Sequence, residues 1–296
     1  MKLFQNKNLI LLHLIIIIWG FTGILGKLIT IPSEFIVWNR MIIAWVTLSL
    51  INIFLFKNTF PKNKKAFISY LFIGLLIAIH WICFFEAIEQ STVSLALICL
   101  SSISLFTSLL EPLIQWKKKS FDVLRFEILL SLLVIVGIAI IYRYEVNSKT
   151  AIFLGVSSAF FGALFTLFNH KLMHKNHKSM IISSWEMFGG GLFLTIYLLI
   201  TKTFNSNLIP QGNDLLYILI LGVICTAFAF AVSVEIMKKI TPFTMNLTVN
   251  LEPIYTIILA LVIFGESEQM TTQFYIGGGM IICSVFINTI FNSKKN

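Results

Sequence analysis

Ten apolar segments, each long enough to cross a bilayer, constrain the fold of this chain more than any other feature. A helix rises about 1.5 Å per residue, so about 20 apolar residues span a hydrocarbon core of about 30 Å. The chain is 57% hydrophobic and 12% charged, whereas soluble domains carry about 25% charged residues. Since lipid requires backbone polar groups to be satisfied internally, we predict an all-α membrane protein. Its ten transmembrane helices, spans one to ten, are predicted at residues 8–29, 35–56, 66–86, 91–114, 122–142, 150–169, 180–200, 214–237, 242–264 and 273–292.

Lysine and arginine residues are concentrated in alternate connections between the spans. Both terminal segments and the connections after even-numbered spans hold most of them: Lys2, Lys7, Lys57, Lys62, Lys64, Lys65, Lys117, Lys118, Lys119, Arg125, Lys171, Lys175, Lys178, Lys238, Lys239, Lys294 and Lys295. The positive-inside rule then predicts that both termini are cytoplasmic. We expect the membrane to be a bacterial cytoplasmic membrane. Because these residues border the spans, the net charge of +9 indicates contact with the lipid bilayer. Nucleic acid is not a predicted partner.

The second half of the sequence repeats the first. Landmarks of spans three and four recur at one constant offset in spans eight and nine: Glu86-Ala87-Ile88 as Glu235-Ile236-Met237, Thr92 as Thr241, and Leu105-Phe106-Thr107 as Ile254-Tyr255-Thr256. Other pairs follow in the same order: Gly20 with Gly162, Arg40 with Glu186, and Gly137 with Gly279. Each copy has five spans, and an odd number of spans inverts the second copy. We therefore predict two inverted five-helix repeats, residues 1–146 and 147–296.

Polar residues at helical spacing mark spans four and nine, which are equivalents in the repeat. The stripe of span four contains Ser94, Ser101, Ser104, Ser108 and Glu111. Span nine has two adjacent polar faces, made of Asn246, Asn250 and Pro253 and of Thr248, Glu252 and Tyr255. Isolated serines and threonines in membrane helices usually bond to the backbone or to a neighbouring helix. Because these stripes include carboxylates, we expect both spans to face a wet central cavity.

Glu252 is the ionisable residue that lies deepest in a predicted span. It is about halfway along span nine, and Pro253 follows it. A proline frees a backbone carbonyl one turn earlier, which membrane helices tolerate where the backbone faces protein or a cavity. Since a charge at the bilayer centre costs roughly 2.5–3.5 kcal/mol on insertion scales, we interpret Glu252 as a coupling or cation-binding group. The alternative is a protonated glutamate that bonds a neighbouring helix.

Three other polar residues within the spans are candidates for coupling or gating. Arg40 and Glu186 occupy equivalent points of spans two and seven, and contacts between helices would also explain them. His80 lies next to Trp81 in span three. Histidine changes its charge near neutral pH, so His80 is a second candidate proton carrier. A hydrogen bond to a neighbouring helix is the alternative for His80. Trp19 and Trp81 would offer aromatic faces to a substrate.

The sequence contains no motif for an enzyme, a cofactor or a metal. Its cysteines, Cys83, Cys99, Cys225 and Cys283, all fall inside spans and have no metal-site spacing. His170, His174 and His177 are spaced like helical metal ligands, but they lie at a lysine-rich connection that we interpret as solvated. We find no nucleophile with a base, no phosphate-binding loop and no zinc motif, so catalysis is not predicted.

Together these features resemble the drug/metabolite transporter superfamily, and within it the EamA-type ten-span exporters. The matching residues, in chain order, are Trp19-Gly20, Arg40 with Ala44, Ala87, Thr226 with Ala229, Glu252-Pro253 and Gly265-Glu266. The resemblance covers nearly the whole chain. It implies a basket of ten helices around a cavity lined mainly by spans one, three, four, six, eight and nine. It also implies export of amino acids or related metabolites.

The first copy departs from the pattern of that family. Ser104 stands where a mid-span proline is common in span four, and Lys117 stands where an acidic residue is expected after it. In span six, Phe161-Gly162 only approximates the expected aromatic–alanine pair. We therefore expect the first half to bend or gate differently from the second.

The predicted function is a secondary transporter that exports a small polar metabolite by alternating access, as a monomer or a homodimer. Its predicted substrate-binding residues are Trp19, His80, Trp81, Ser101, Ser104, Asn246, Asn250, Glu252 and Tyr255. Its predicted coupling or gating residues are Glu252, His80, Arg40 and Glu186. Two alternatives remain. One is a carrier of phosphorylated metabolites, for which only Arg40 is available as a cavity cation, and the other is a non-transporting membrane scaffold.

Overall fold

Helices make up all the regular structure in the residues that the computed structural model describes, namely 2–56, 60–115, 120–144, 148–175, 177–204, 208–252, 255–256, 259 and 271–295. They are α1 (Lys2–Leu28), α2 (Ser33–Ile51), α3 (Lys64–Glu89), α4 (Val93–Leu100), α5 (Ile103–Gln115), α6 (Phe121–Tyr144), α7 (Lys149–Met173), α8 (Ser179–Ile200), α9 (Asn213–Ile220), α10 (Ala229–Ile236), α11 (Pro242–Val249) and α12 (Thr272–Lys295). π-Helical segments extend α2 over Asn52–Phe56 and join α9 to α10 over Leu221–Phe228. The prediction of an all-α fold is confirmed over these ranges.

Seven helical segments in the described ranges are long and apolar enough to cross a membrane. They are Lys7–Leu28, Ser33–Phe54, Lys64–Glu89, Leu95–Ile114, Lys149–Met173, Ser179–Ile200 and Asn213–Ile236. These segments coincide with predicted spans one to four and six to eight, while α6 and α12 lie at spans five and ten. Helix α11 begins span nine, of which residues 253–254, 257–258 and 260–264 lie outside the described residues. The count of ten spans, the cytoplasmic termini and the domain boundary after residue 146 stay predictions.

The repeated threonines Thr92 and Thr241 begin equivalent helices. The Thr92 hydroxyl accepts a hydrogen bond from the Leu95 amide at the start of α4, at 3.1 Å. The Thr241 hydroxyl accepts one from the Thr244 amide at the start of α11, at 3.2 Å. A side-chain oxygen at this position satisfies an amide that has no partner within the first turn. The two threonines therefore mark the same helix start in each half.

Both central helices are interrupted at equivalent positions. Helix α4 ends at Leu100 and α5 begins at Ile103, and α11 ends at Val249. In the first half the Ser101 hydroxyl donates to the Leu97 carbonyl at 3.2 Å, and the Ser102 hydroxyl donates to the Cys99 carbonyl at 2.8 Å. Such bonds compete with the helical backbone pattern and bend helices. The first-half helix is therefore interrupted without a proline. Because Pro253 lies outside the described residues, the expectation that the two halves bend or gate differently stays a prediction.

Glycines bring two pairs of helices into backbone contact. A Cβ atom on Gly74 of α3 would lie 2.2 Å from the Glu186 carbonyl oxygen on α8. A Cβ atom on Gly137 of α6 would lie 2.6 Å from the Gly277 carbonyl oxygen on α12. Such distances are sterically forbidden, so each contact requires a residue without a side chain. The first contact joins the two halves of the chain beside a buried carboxylate.

Candidate functional site

A cavity of about 690 Å³, including the part that opens to solvent, lies between the two halves. Aromatic and aliphatic side chains make up much of its wall, and its polar lining is Thr22, Arg40, His80, Thr166, Ser233, Asn246 and Glu252. Five predicted substrate-binding residues line it, namely Trp19, His80, Trp81, Asn246 and Glu252. The cavity therefore joins residues that the sequence separates by more than half of its length.

Arg40 on α2 is held rigidly at this cavity. Its Nε and Nη2 atoms donate to the Thr226 hydroxyl oxygen at 3.1 and 2.9 Å. Its guanidinium carbon lies 3.7 Å from the centroid of the Trp81 ring, in the geometry of a cation–π contact. The side chain is 1% exposed, and its Nη1 atom has no hydrogen-bond partner in the described part of the chain. One donor of a fixed cation is therefore unsatisfied.

Thr226 can accept from Arg40 because of the local helix geometry. It lies in the π-helical segment Leu221–Phe228, where its hydroxyl donates to the Leu221 carbonyl at 2.7 Å. With its proton used in this way, the hydroxyl oxygen presents its lone pairs to the guanidinium. Single π-helical turns occur often at functional sites. Thr226 thus connects the second half of the chain to the charged residue of the first.

Glu252 brings a carboxylate to the same cavity, just after the interruption at the end of α11. Its side chain is 5% exposed. Its backbone carbonyl accepts a hydrogen bond from the Thr256 hydroxyl at 3.0 Å, and this hydroxyl also contacts the Gly20 carbonyl of α1 at 3.0 Å. Between the described residues, no ion pair joins Glu252 to Arg40 or to another cation. The cavity therefore holds a guanidinium and a carboxyl group that are not in direct contact with each other.

His80 lines the cavity and also bonds a neighbouring helix. Its Nδ1 atom is 2.8 Å from the Ser158 carbonyl oxygen and 2.9 Å from the Ser158 hydroxyl on α7. Because a carbonyl oxygen only accepts, this contact favours the tautomer with a proton on Nδ1 and leaves Nε2 as an acceptor. His80 therefore lines the cavity and also forms a hydrogen bond to a neighbouring helix, so the two interpretations drawn from the sequence do not exclude each other. Its role as a proton carrier stays a prediction.

Asn246 links three helices at the cavity wall. Its amide nitrogen donates to the Thr107 hydroxyl on α5 at 2.7 Å, and its amide oxygen accepts from the Thr166 hydroxyl on α7 at 3.2 Å. Trp19 is fixed in a similar way, since its indole nitrogen donates to the Cys225 carbonyl at 3.2 Å. These bonds orient polar and aromatic groups before any ligand binds.

The other predicted substrate-binding residues make contacts outside the cavity lining. Asn250 donates to the Ser104 hydroxyl at 3.3 Å, and Ser104 and Ser101 bond to backbone carbonyls of their own helix. Tyr255 packs against the apolar cluster that contains Phe243. These four residues, Ser101, Ser104, Asn250 and Tyr255, are absent from the cavity lining. Of their contacts, the hydrogen bond between Asn250 and Ser104 joins the two interrupted helices.

Glu186 lies apart from the cavity, although it is the equivalent of Arg40. It is 0% exposed on α8, and one of its carboxylate oxygens accepts from the Asn169 amide at 3.3 Å. Its Oε1 atom has no hydrogen-bond partner in the part of the chain described above. The structure therefore separates two residues that the sequence grouped as coupling or gating candidates.

Several lining residues were not predicted individually, but the repeat contains the signal that identifies them. The constant offset of the repeat relates Trp81 to Phe230, Phe84 to Ser233, Leu100 to Val249 and Ile103 to Glu252, and all eight line the cavity. Carrying Trp81 across the repeat would have identified Phe230. The contact between Thr226 and Arg40 has no such signal, since it depends on a π-helical turn.

The three histidines near the end of α7 do not form one cluster. The Nε2 atoms of His170 and His174 lie 3.0 Å apart, whereas His177 bonds through Nδ1 to the Tyr70 hydroxyl. Over the described residues, no group of three histidine, cysteine or acidic side chains could hold a metal ion. The structure thus places His177 in a contact with α3.

Comparison with known proteins gives one family. The sequence matches the EamA-like transporter family over residues 6–143 and again over residues 149–290. No curated protein matches it. A protein known from its crystal structure shares the fold with a TM-score of 0.72 at 12% sequence identity, and the match covers 97% of this chain and 98% of that one. The two family matches agree with the two repeats found in the sequence.

Proposed function

The chain belongs to the EamA-like transporter family, which makes it a membrane transporter of the drug/metabolite transporter superfamily, and from this premise we propose its cargo and mechanism. The cargo is a small polar metabolite, an amino acid or a related compound, exported across a bacterial cytoplasmic membrane by alternating access. One observation carries the proposal: Arg40 and Glu252 line the same cavity without pairing.

This pair of charges complements a zwitterion. The unsatisfied Nη1 atom of Arg40 offers a donor to a carboxylate, and the Glu252 carboxylate offers an acceptor to an ammonium group. The Trp81 ring screens one face of the guanidinium, and Thr226 fixes its plane. A bound zwitterion would compensate both charges, which are costly at this depth of a membrane protein.

A carrier of phosphorylated metabolites fits this cavity less well. A phosphate group carries up to two negative charges and is usually held by several cations or amide groups. Within the described lining, Arg40 is the only lysine or arginine side chain, and Glu252 would repel a phosphate. The cavity therefore favours a carboxylate over a phosphate.

Glu252 is the proposed coupling group, with His80 as a second proton carrier. An empty cavity leaves the Glu252 carboxylate without a direct counter-charge, so a proton or a substrate ammonium group stabilises it in turn. Competition between these two ligands for one carboxylate would couple export to a proton gradient. His80 presents Nε2 as an acceptor in the same cavity, because Ser158 occupies Nδ1.

Hydrogen bonds across one end of the bundle are the proposed gate. The Thr30 hydroxyl donates to the Asp214 carboxylate at 2.7 Å, and the Ser33 hydroxyl donates to the Glu89 carboxylate at 2.9 Å. At the opposite end the cavity reaches Met237 and Met245, which lie near the connection between α10 and α11. This arrangement supports a state in which one end is closed and the cavity extends towards the other.

Transport by proteoliposomes tests the proposal. A panel of amino acids and related metabolites is assayed with and without a proton gradient, for the wild type and for Glu252→Gln. We expect gradient-driven transport to fall about ten-fold or more in the variant, equivalent to at least about 1.4 kcal/mol. Glu235→Gln is the matched control, since Glu235 is exposed and pairs with Lys238. Undiminished gradient-driven transport by Glu252→Gln would refute the coupling role, and failure of the wild type to bind or move any solute would favour a scaffold.

A further inference from the structure

A second buried polar cluster lies outside the cavity, and we propose that it binds a monovalent metal cation, with Na⁺ as the probe. The cluster consists of Glu186 and Ser183 on α8 and Asn169 on α7. None of the three residues lines the cavity. The proposal goes beyond the transport function above and does not depend on the identity of the substrate.

The cluster contains three buried oxygen atoms that have no hydrogen-bond partner in the described part of the chain. They are Oε1 of Glu186, Oδ1 of Asn169 and Oγ of Ser183. All three residues are 0% exposed. The Asn169 amide nitrogen donates to the other Glu186 oxygen at 3.3 Å, so the two side chains are in contact. Ser183 lies three residues before Glu186 on the same helix, which places the two side chains on one face.

The charge of the cluster has no protein partner. No ion pair joins Glu186 to a lysine, arginine or histidine within the described residues, and Asn169 supplies a single neutral donor. A buried carboxylate is strongly destabilising unless it is paired, bound to a metal or protonated. Leaving the neighbouring oxygens unsatisfied adds to that cost, because each buried unsatisfied polar atom costs about 1–3 kcal/mol.

A metal cation accounts for the cluster more completely than a proton does. A proton on Oε1 adds one donor, which can satisfy at most one of the other two oxygens. A cation can accept lone pairs from the carboxylate, the amide carbonyl and the hydroxyl together. Hard cations prefer oxygen ligands of these kinds. One carboxylate with two neutral oxygens matches a single positive charge, which favours Na⁺ over a divalent ion.

The cluster lies towards one end of the bundle. Glu186 lies about two turns into α8 from Ser179, at roughly 1.5 Å per residue. The connection between α7 and α8 lies above it, where His177 bonds to the Tyr70 hydroxyl of α3. On the other side, the Glu186 backbone packs directly against Gly74 of α3. The cluster therefore lies between this connection and the close contact of α3 with α8, apart from the cavity.

Thermal unfolding of the purified protein in lipid nanodiscs tests the proposal. NaCl is titrated against choline chloride at constant ionic strength. We expect Na⁺ to raise the unfolding midpoint of the wild type by about 2–4 °C, since a ligand that binds only the folded state stabilises it. The Na⁺ shift should disappear in Glu186→Gln. Ser183→Ala, a small change that preserves the fold, should need a several-fold higher Na⁺ concentration for the same shift.

The matched control is Glu235→Gln, which removes an exposed carboxylate that pairs with Lys238 and should keep the full Na⁺ shift. A wild type without a Na⁺ shift would overturn the proposal and leave Glu186 as a protonated contact. A shift that persists unchanged in both Glu186→Gln and Ser183→Ala would also overturn it. If Glu186→Gln does not fold, the Ser183→Ala titration decides alone. The measurement requires no substrate, so a failure of the transport proposal would be seen separately.

Discussion

Arg40 and Glu186 occupy equivalent positions of the two repeats, yet their surroundings differ completely. Arg40 reaches the cavity, where Thr226 of the other half and Trp81 hold it. Glu186 is sealed between helices and bonds only one amide within the described structure. The repeat therefore reproduces the helix positions while the two sites have diverged in chemistry.

The residue that faces Arg40 from the other half of the chain explains part of this difference. Thr226 in the second half supplies the hydroxyl that Arg40 bonds. The residue at the equivalent position of the first half is Ile77, which is fully buried and has no hydrogen-bonding group. An inverted copy of the contact between Arg40 and Thr226 therefore cannot form for Glu186. Asn169 and Ser183 surround it instead, which makes the second site suitable for a cation and the first suitable for an anion.

The largest expected effect comes from a variant that disrupts the helix packing at Glu186. In Gly74→Ala the added Cβ would lie 2.2 Å from the Glu186 carbonyl oxygen, and backbone cannot move aside as a flexible side chain can. Overpacking of this kind costs about 1–3 kcal/mol or more, so we expect a large loss of folded protein. Gly279→Ala is the control, because a Cβ there meets nothing within 4 Å. Equal unfolding midpoints for both variants in a detergent melt would contradict the close contact of α3 and α8.

An effect of intermediate size is expected when the hydrogen bonds that hold Arg40 are removed. Thr226→Val keeps the shape of the side chain and removes the oxygen that accepts from both Nε and Nη2. Because hydrogen bonds to charged groups contribute about 1.5–3 kcal/mol, we expect substrate affinity to fall about ten-fold. The readout is the dissociation constant of a transported substrate, measured by isothermal titration calorimetry.

Thr226→Ser restores the hydroxyl and serves as the control for that measurement. It should recover most of the lost affinity, since the serine oxygen can donate to the Leu221 carbonyl and accept from Arg40 as Thr226 does. If the valine and serine variants bind substrate equally well, the hydroxyl does not orient Arg40 for binding. Of the two contacts described for Arg40, only the one with the Trp81 ring would then remain to distinguish its surroundings from those of Glu186.

The sequence predicted the helices and, among the polar cavity residues, Arg40, His80, Asn246 and Glu252, but it also predicted Ser101, Ser104 and Asn250, which do not line the cavity. Long apolar runs identify membrane helices because the bilayer sets their length. Helical spacing predicted that Ser101 and Ser104 share a cavity face with Glu111. The turn at Ser101 and Ser102 interrupts the helix, so residues before and after it no longer follow one periodicity. Similarly, the π-helical turn around Thr226 shifts the register of the helix, and no periodicity predicts the bond to Arg40.

The smallest expected effect is a pH dependence of stability caused by His177, in the connection between α7 and α8. Partial burial and the positive charges of Lys62 and Lys175 lower the pKa of His177 from its usual value of 6.5. The unfolded chain then binds a proton more tightly than the folded protein does, so stability falls as the pH drops from 6.5 towards the lowered pKa. We expect a decrease in unfolding midpoint below about 2 °C, a size set by the small free energy of one partly exposed group. In His177→Gln this part of the pH dependence should vanish, whereas Lys202→Gln, at an exposed position outside the contact with Tyr70, should retain it. A pH profile that His177→Gln leaves unchanged would show that the protonation of His177 does not cause this loss of stability.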